Sequence, residues 1–81
     1  MKILEKDLKK ILAKILKIKT SEINDKLSMN TCLKWDSLNH LKIILAIENK
    51  AGVSFKEKEV TQIVSYKLIK LFLTKLKIQI L

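Results

Sequence analysis

Apolar residues at Leu4, Leu8, Ile11, Leu12, Ile15 and Leu16 draw one stripe along the start of the chain. Their spacing follows the helical period of about 3.6 residues. Lys6, Lys9, Lys10, Lys14 and Lys17 fall on the other faces. The pattern predicts a first helix over about residues 2–18. It then breaks. Thr20-Ser21-Glu22-Ile23-Asn24-Asp25 holds capping and turn residues, which predicts a short helical turn near 21–25. A long loop follows to residue 36, with Leu27, Met29 and Leu33 expected to anchor it to the core.

A second stripe begins with Leu38, Leu41, Ile44 and Leu45, and Ile43 and Ile47 widen it. This predicts a helix buried on more than one side. Asp36 and Ser37 are strong N-cap types, so the helix should start there and run to about Lys50. Gly52 stands where a left-handed C-terminal residue is wanted. Val53 and Phe55 read as anchors. Ser54 and Glu57 have capping-box spacing, which predicts a short third helix over about 57–62 with Val60 and Ile63 inward. Ser65 should cap a last helix over about 66–77, carrying Tyr66, Ile69, Phe72, Leu73 and Leu76, with Leu68 and Leu71 making it apolar nearly all round. The alternating tail, Lys77 to Leu81, is too short to interpret. The fold class is thus all-α: a small four-helix bundle with three longer helices, one short third helix and a long loop between the first two.

Composition supports that reading. The chain has 81 residues, no proline and one glycine, which suits a single helical domain spanning 1–81 and not a turn-rich β fold. The net charge is +9, carried by lysine without any arginine. Acidic partners fit such a charge, whereas arginine, the usual residue for bidentate contacts to guanine and phosphate, is missing. Lysine with abundant Ile and Asn also fits an A/T-rich coding sequence. Cys32, the one cysteine, can form neither an internal disulfide nor a zinc cluster, and no metal site is expected. Met1 to Asp7 lacks an uninterrupted apolar signal region, and no run approaches the ~20 apolar residues that span a bilayer. A cytoplasmic monomer is the expectation.

Asp36, Ser37 and His40 contain the residue types of a nucleophilic triad, but in the wrong arrangement. Asp36 sits beside Ser37 at the cap and is poorly placed to orient the far nitrogen of His40. No glycine-rich turn frames an oxyanion hole. Catalysis is not expected. As a modification site the run makes better sense. A serine at a helix start is exposed on a rigid element, where a phosphodiester meets free backbone N–H groups and the positive end of the helix dipole. Taken alone, Asp36-Ser37 reads equally as a plain capping pair.

The longer stretch decides. Leu33-Lys34-Trp35-Asp36-Ser37-Leu38-Asn39-His40-Leu41-Lys42-Ile43-Ile44-Leu45-Ala46-Ile47-Glu48 resembles the prosthetic-group helix of acyl carrier proteins. Gly52-Val53-Ser54-Phe55 is similar to that family's turn into helix three, and Ile63-Val64-Ser65-Tyr66 to its start of helix four. The Trp-Asp-Ser-Leu form resembles discrete carriers outside housekeeping fatty-acid synthesis. The resemblance implies that Ser37 bears 4′-phosphopantetheine, drawn from coenzyme A, with Asp36 flanking it for recognition by a phosphopantetheinyl transferase. It implies an acyl or aminoacyl thioester as cargo, a loading ligase, and downstream acyltransferases or synthases as partners. It places Leu38, Leu41, Lys42 and Glu48 on the partner face. Leu41, Leu45, Val60 and Ile63 become lining residues for a tucked acyl chain, with ordinary core packing as the other reading. Trp35 would anchor the loop, or else touch the arm or a partner.

One departure stands out. The family's second helix commonly carries carboxylates, yet here Asn39, Lys42 and Asn49 stand at positions often acidic. Partners with less basic or acidic surfaces follow from that. The alternative function is a basic helical interaction protein binding nucleic acid or an anionic membrane surface.

Overall fold

A computed structural model describes residues 2–81. Among these the chain forms four α-helices: α1 (Glu5–Leu16), α2 (Ser37–Ala51), α3 (Glu57–Gln62) and α4 (Tyr66–Lys75), with a 3₁₀ turn at Thr20–Glu22. The domain is compact and mostly helical, and α1 packs against α2. Leu8, Leu12 and Leu16 of α1, Ile43 and Ile47 of α2, and Ile69 and Leu73 of α4 form a common buried core.

Local signals placed most boundaries. The Asp36 side chain accepts from the Asn39 N–H at 2.9 Å and starts α2. The Ser65 hydroxyl accepts from the Leu68 N–H at 3.1 Å and starts α4. Helix α3 has the expected bounds, but Ser54 does not cap it. Its first turn is held by Glu59, whose Oε1 accepts from the Lys56 N–H at 2.8 Å. Ser54 lies outside the helix, two residues before the N-cap.

The all-α expectation needs one correction. Lys2–Ile3 (β1) and Gln79–Ile80 (β2) pair as two short parallel strands. Residues 2 and 3 therefore do not join the first helix. The pair is held by tertiary packing, with Ile3 and Ile78 buried and the Leu81 N–H bonded to the Ile3 carbonyl at 2.9 Å.

The second helix buries one face, not several. His40, Ile43, Ile44, Ile47 and Ala51 point inward, while Leu38, Leu41 and Leu45 stay 53–64% exposed. In α4, Leu71 is likewise exposed, as is Leu76 at the C-cap. The long loop is pinned by Ile23 and Trp35, with Leu27 and Met29 half-buried; Leu33 is 100% exposed and anchors nothing. Backbone bonds from Met29 N–H to the Val64 carbonyl and from Tyr66 N–H to the Leu27 carbonyl, both 3.0 Å, stitch this loop to the start of α4.

Three helices end alike. Lys17, Gly52 and Lys77 adopt left-handed backbone, with φ of 57°, 69° and 63°. The next residue in each case, Ile18, Val53 or Ile78, returns its N–H to a carbonyl five residues back. This is the Schellman ending, which favours glycine. A Cβ at such a position costs roughly 1–2 kcal/mol. Lys77→Gly is therefore expected to raise unfolding free energy by about 0.5–1 kcal/mol, once the greater freedom of glycine in the unfolded chain is counted. Urea melts of the two proteins measure it.

A polar cluster ties α1 to α4. The Tyr66 hydroxyl donates to Glu5 Oε2 at 2.9 Å, and the Lys70 ammonium lies 3.5 Å from Glu5 and 2.9 Å from Asp25. The Tyr66 hydrogen bond, helped by Lys70 against some burial, holds the Glu5 carboxyl below its ordinary value of 4.5. The bond to Asp25 lifts Lys70 above 10.5, and burial pushes the Tyr66 hydroxyl well above 10. Glu5 thus stabilises the fold above pH 4.5, a contribution lost as pH falls through its folded value. Lys70 and Tyr66 stabilise it below about pH 10, a contribution lost as pH rises. Tyr66→Phe should cost about 1 kcal/mol at neutral pH, since Glu5 is partly solvent-screened. It should also flatten the pH dependence on both sides, measured by thermal melts from pH 3 to pH 11.

Candidate functional site

Ser37 is the first residue of α2 and is exposed. The turn that presents it is fixed from three directions. Asp36 caps the helix through Asn39 N–H, the Asn39 side-chain amide donates to the Lys34 carbonyl at 2.7 Å, and His40 N–H bonds the Asp36 carbonyl at 2.8 Å. Beneath the turn, Trp35 is buried at 1% exposure. Its indole Nε1–H donates to His40 Nδ1 at 3.0 Å. His40 Nε2 lies 2.7 Å from the Val60 carbonyl.

These partners fix the histidine tautomer. An indole N–H only donates and a carbonyl only accepts. Nδ1 must therefore be the bare acceptor and Nε2 must carry the hydrogen. Both ring nitrogens are committed to structure, so His40 is not free to act as a base on Ser37. The expected role of Trp35 as loop anchor is what the geometry gives. The sequence held no sign that His40 was its partner, because the third member, the Val60 carbonyl, comes from α3 across 20 residues.

A groove of about 410 Å³ opens at Ser37 and runs between α2 and α3, lined by Met29, Ser37, His40, Leu41, Val60, Thr61 and Val64. Leu41 and Val60 are among these lining residues. Leu45 and Ile63 are not. Leu45 is 64% exposed on the outer face of α2, and Ile63 is fully buried in the core. Met29, Thr61 and Val64 take their places; the backbone bond between Met29 and Val64 sets that wall, a contact no local pattern reveals.

Among the expected partner residues, Leu38, Leu41 and Lys42 are exposed. Glu48 is not free in the same way. Its Oε2 accepts from the Phe55 N–H at 2.7 Å and holds the turn between α2 and α3. Cys32 is half-buried. Among the described residues no group of His, Cys, Asp and Glu is placed to hold a metal ion, and no helix is long and apolar enough to cross a membrane.

The residues suit a tethered phosphopantetheine. The hydroxyl is exposed at a helix start, where an anionic phosphate would meet the first-turn N–H groups that the Asp36 cap leaves free, and an apolar groove begins beside it. No protein-family model matches the sequence, and no curated protein matches it. A role for Ser37 therefore rests on this geometry and on the residues around it.

Proposed function

We propose that the chain is a non-catalytic carrier of a covalently tethered group. More particularly, it is a discrete acyl carrier protein with 4′-phosphopantetheine on Ser37, serving a specialised biosynthetic pathway. The observation that carries this is the exposed Ser37 hydroxyl on a capped helix start, at the rim of an apolar groove.

In the proposed loading step, a transferase brings coenzyme A to Ser37. The Ser37 oxygen attacks the phosphorus nearest the pantetheine, the bond to adenosine 3′,5′-bisphosphate breaks, and the hydroxyl proton passes to a base of the transferase. Asp36, beside Ser37, is the recognition carboxylate for that enzyme. The arm's thiol supplies the thioester that holds an acyl or aminoacyl cargo. Tethering then raises the effective concentration of cargo at each enzyme that the carrier visits. Leu41, Val60 and Val64 offer an apolar resting place for its first carbons. The buried ring nitrogens of His40 support a role without catalysis.

The nucleic-acid alternative lacks a stacking platform, since Trp35, Phe55, Tyr66 and Phe72 are all buried. Co-expression with phosphopantetheinyl transferases of several types tests the carrier reading by intact mass. A mass gain equal to one phosphopantetheine is expected, complete loss of that gain in Ser37→Ala, and an unchanged melting temperature. No gain with any transferase contradicts it.

A further inference from the structure

We infer that the outer face of α2 beside Ser37 receives an acidic protein partner, one that presents apolar side chains between carboxylates. This deepens the carrier reading by stating the chemistry of whatever docks at Ser37.

The face has two parts. Leu38, Leu41 and Leu45 are 63%, 53% and 64% exposed, and their spacing of three and four places them in one row. Scattered leucines on a surface mean little, but a contiguous row on a rigid helix marks a contact surface. Beside the row lies a depression of about 330 Å³, lined by Ile15, Leu16, Lys17, Lys34, Asp36, Asn39 and Lys42. Three segments supply its lysines: the end of α1, the loop and α2. Lys34 is held in place, its ammonium donating to the Lys17 carbonyl at 3.2 Å.

The carboxylates nearby do not cancel that charge. Asp36 is one against three lysines and caps the helix, and Glu48 is turned onto the Phe55 N–H. Complementary potential across an interface steers encounter and rejects partners of like charge. A basic partner is therefore disfavoured and an acidic one favoured. The concavity narrows the class. A protruding Asp or Glu of a folded partner can enter between Lys17, Lys34 and Lys42, while its apolar side chains meet the leucine row beside them.

The test uses the full ¹⁵N-labelled chain with Ser37 unmodified, so its result is independent of whether Ser37 accepts the arm. Two synthetic helical peptides share one leucine pattern, flanked in one by glutamates and in the other by lysines; phosphatidylglycerol vesicles form a third arm. The glutamate peptide is expected to shift the amides of Lys17, Lys34, Leu38, Leu41, Lys42 and Leu45 in a saturable way, and the lysine peptide to leave them unmoved. The double variant Lys34→Glu, Lys42→Glu should weaken the glutamate peptide about tenfold or more at low salt and begin to bind the lysine peptide. Leu41→Ser should weaken the glutamate peptide with charge unchanged. Shifts spread evenly over the lysines of α1 and α4, equal response to both peptides, indifference to the double variant, or a response to vesicles alone would overturn the inference.

Discussion

Trp35→Ala is expected to lower the unfolding free energy by about 3–5 kcal/mol, the cost of removing a large buried aromatic and leaving a cavity. The side chain is 1% exposed and lies directly before the helix cap. A domain of 81 residues has a total stability of only about 4–12 kcal/mol. The variant should therefore sit near the edge of folding. The loss has a second part, because His40 Nδ1 forfeits its donor. Urea denaturation followed by far-UV circular dichroism measures the sum. A loss below about 1 kcal/mol would mean that Trp35 does not anchor the loop.

His40→Leu should cost about 2–4 kcal/mol, although leucine matches the apolar surroundings. The reason is polar. The change strands the buried Trp35 indole N–H and the Val60 carbonyl, each at roughly 1–3 kcal/mol. Trp35 and His40 share one hydrogen bond, so their effects should not add. The double variant is expected to lose about 1 kcal/mol less than the two single losses together. His40→Leu should also loosen the α2–α3 contact that shapes the groove, and so slow modification of Ser37 at temperatures where the variant remains folded.

What could be read in the sequence was what local chemistry dictates. Asp36 and Ser65 are short polar side chains before apolar runs, and they cap the helices that follow. Gly52 ends α2 because its left-handed backbone carries no Cβ penalty. The α3 bounds were right while its cap was not: two acidic residues, Glu57 and Glu59, stand in the first turn, and only the structure selects Glu59. In α2, periodicity could not select the buried face, because leucine and isoleucine occupy most of its turns. Packing put Ile43 and Ile47 inside and left Leu38, Leu41 and Leu45 outside. That choice removed Leu45 from the groove and created the exposed row. The parallel pairing of Lys2–Ile3 with Gln79–Ile80 was invisible for another reason. Two-residue strands carry no periodic signal, and their pairing joins opposite ends of the chain. Ser37 itself was legible as a helix start, and the groove beside it was not, since its walls come from the loop, α2 and α3 together.

Trypsin cuts after Lys34 and Lys42, which releases Trp35-Asp36-Ser37-Leu38-Asn39-His40-Leu41-Lys42 as one peptide with a single hydroxyl side chain. Fragment-ion mass spectrometry of that peptide, after incubation of the chain with coenzyme A and a phosphopantetheinyl transferase, tests the role of Ser37 most directly. The carrier reading predicts one phosphopantetheine on this peptide, placed on Ser37 by the fragments. An unmodified peptide with every competent transferase, or an arm found instead on another hydroxyl such as Ser28 or Thr61, would contradict it.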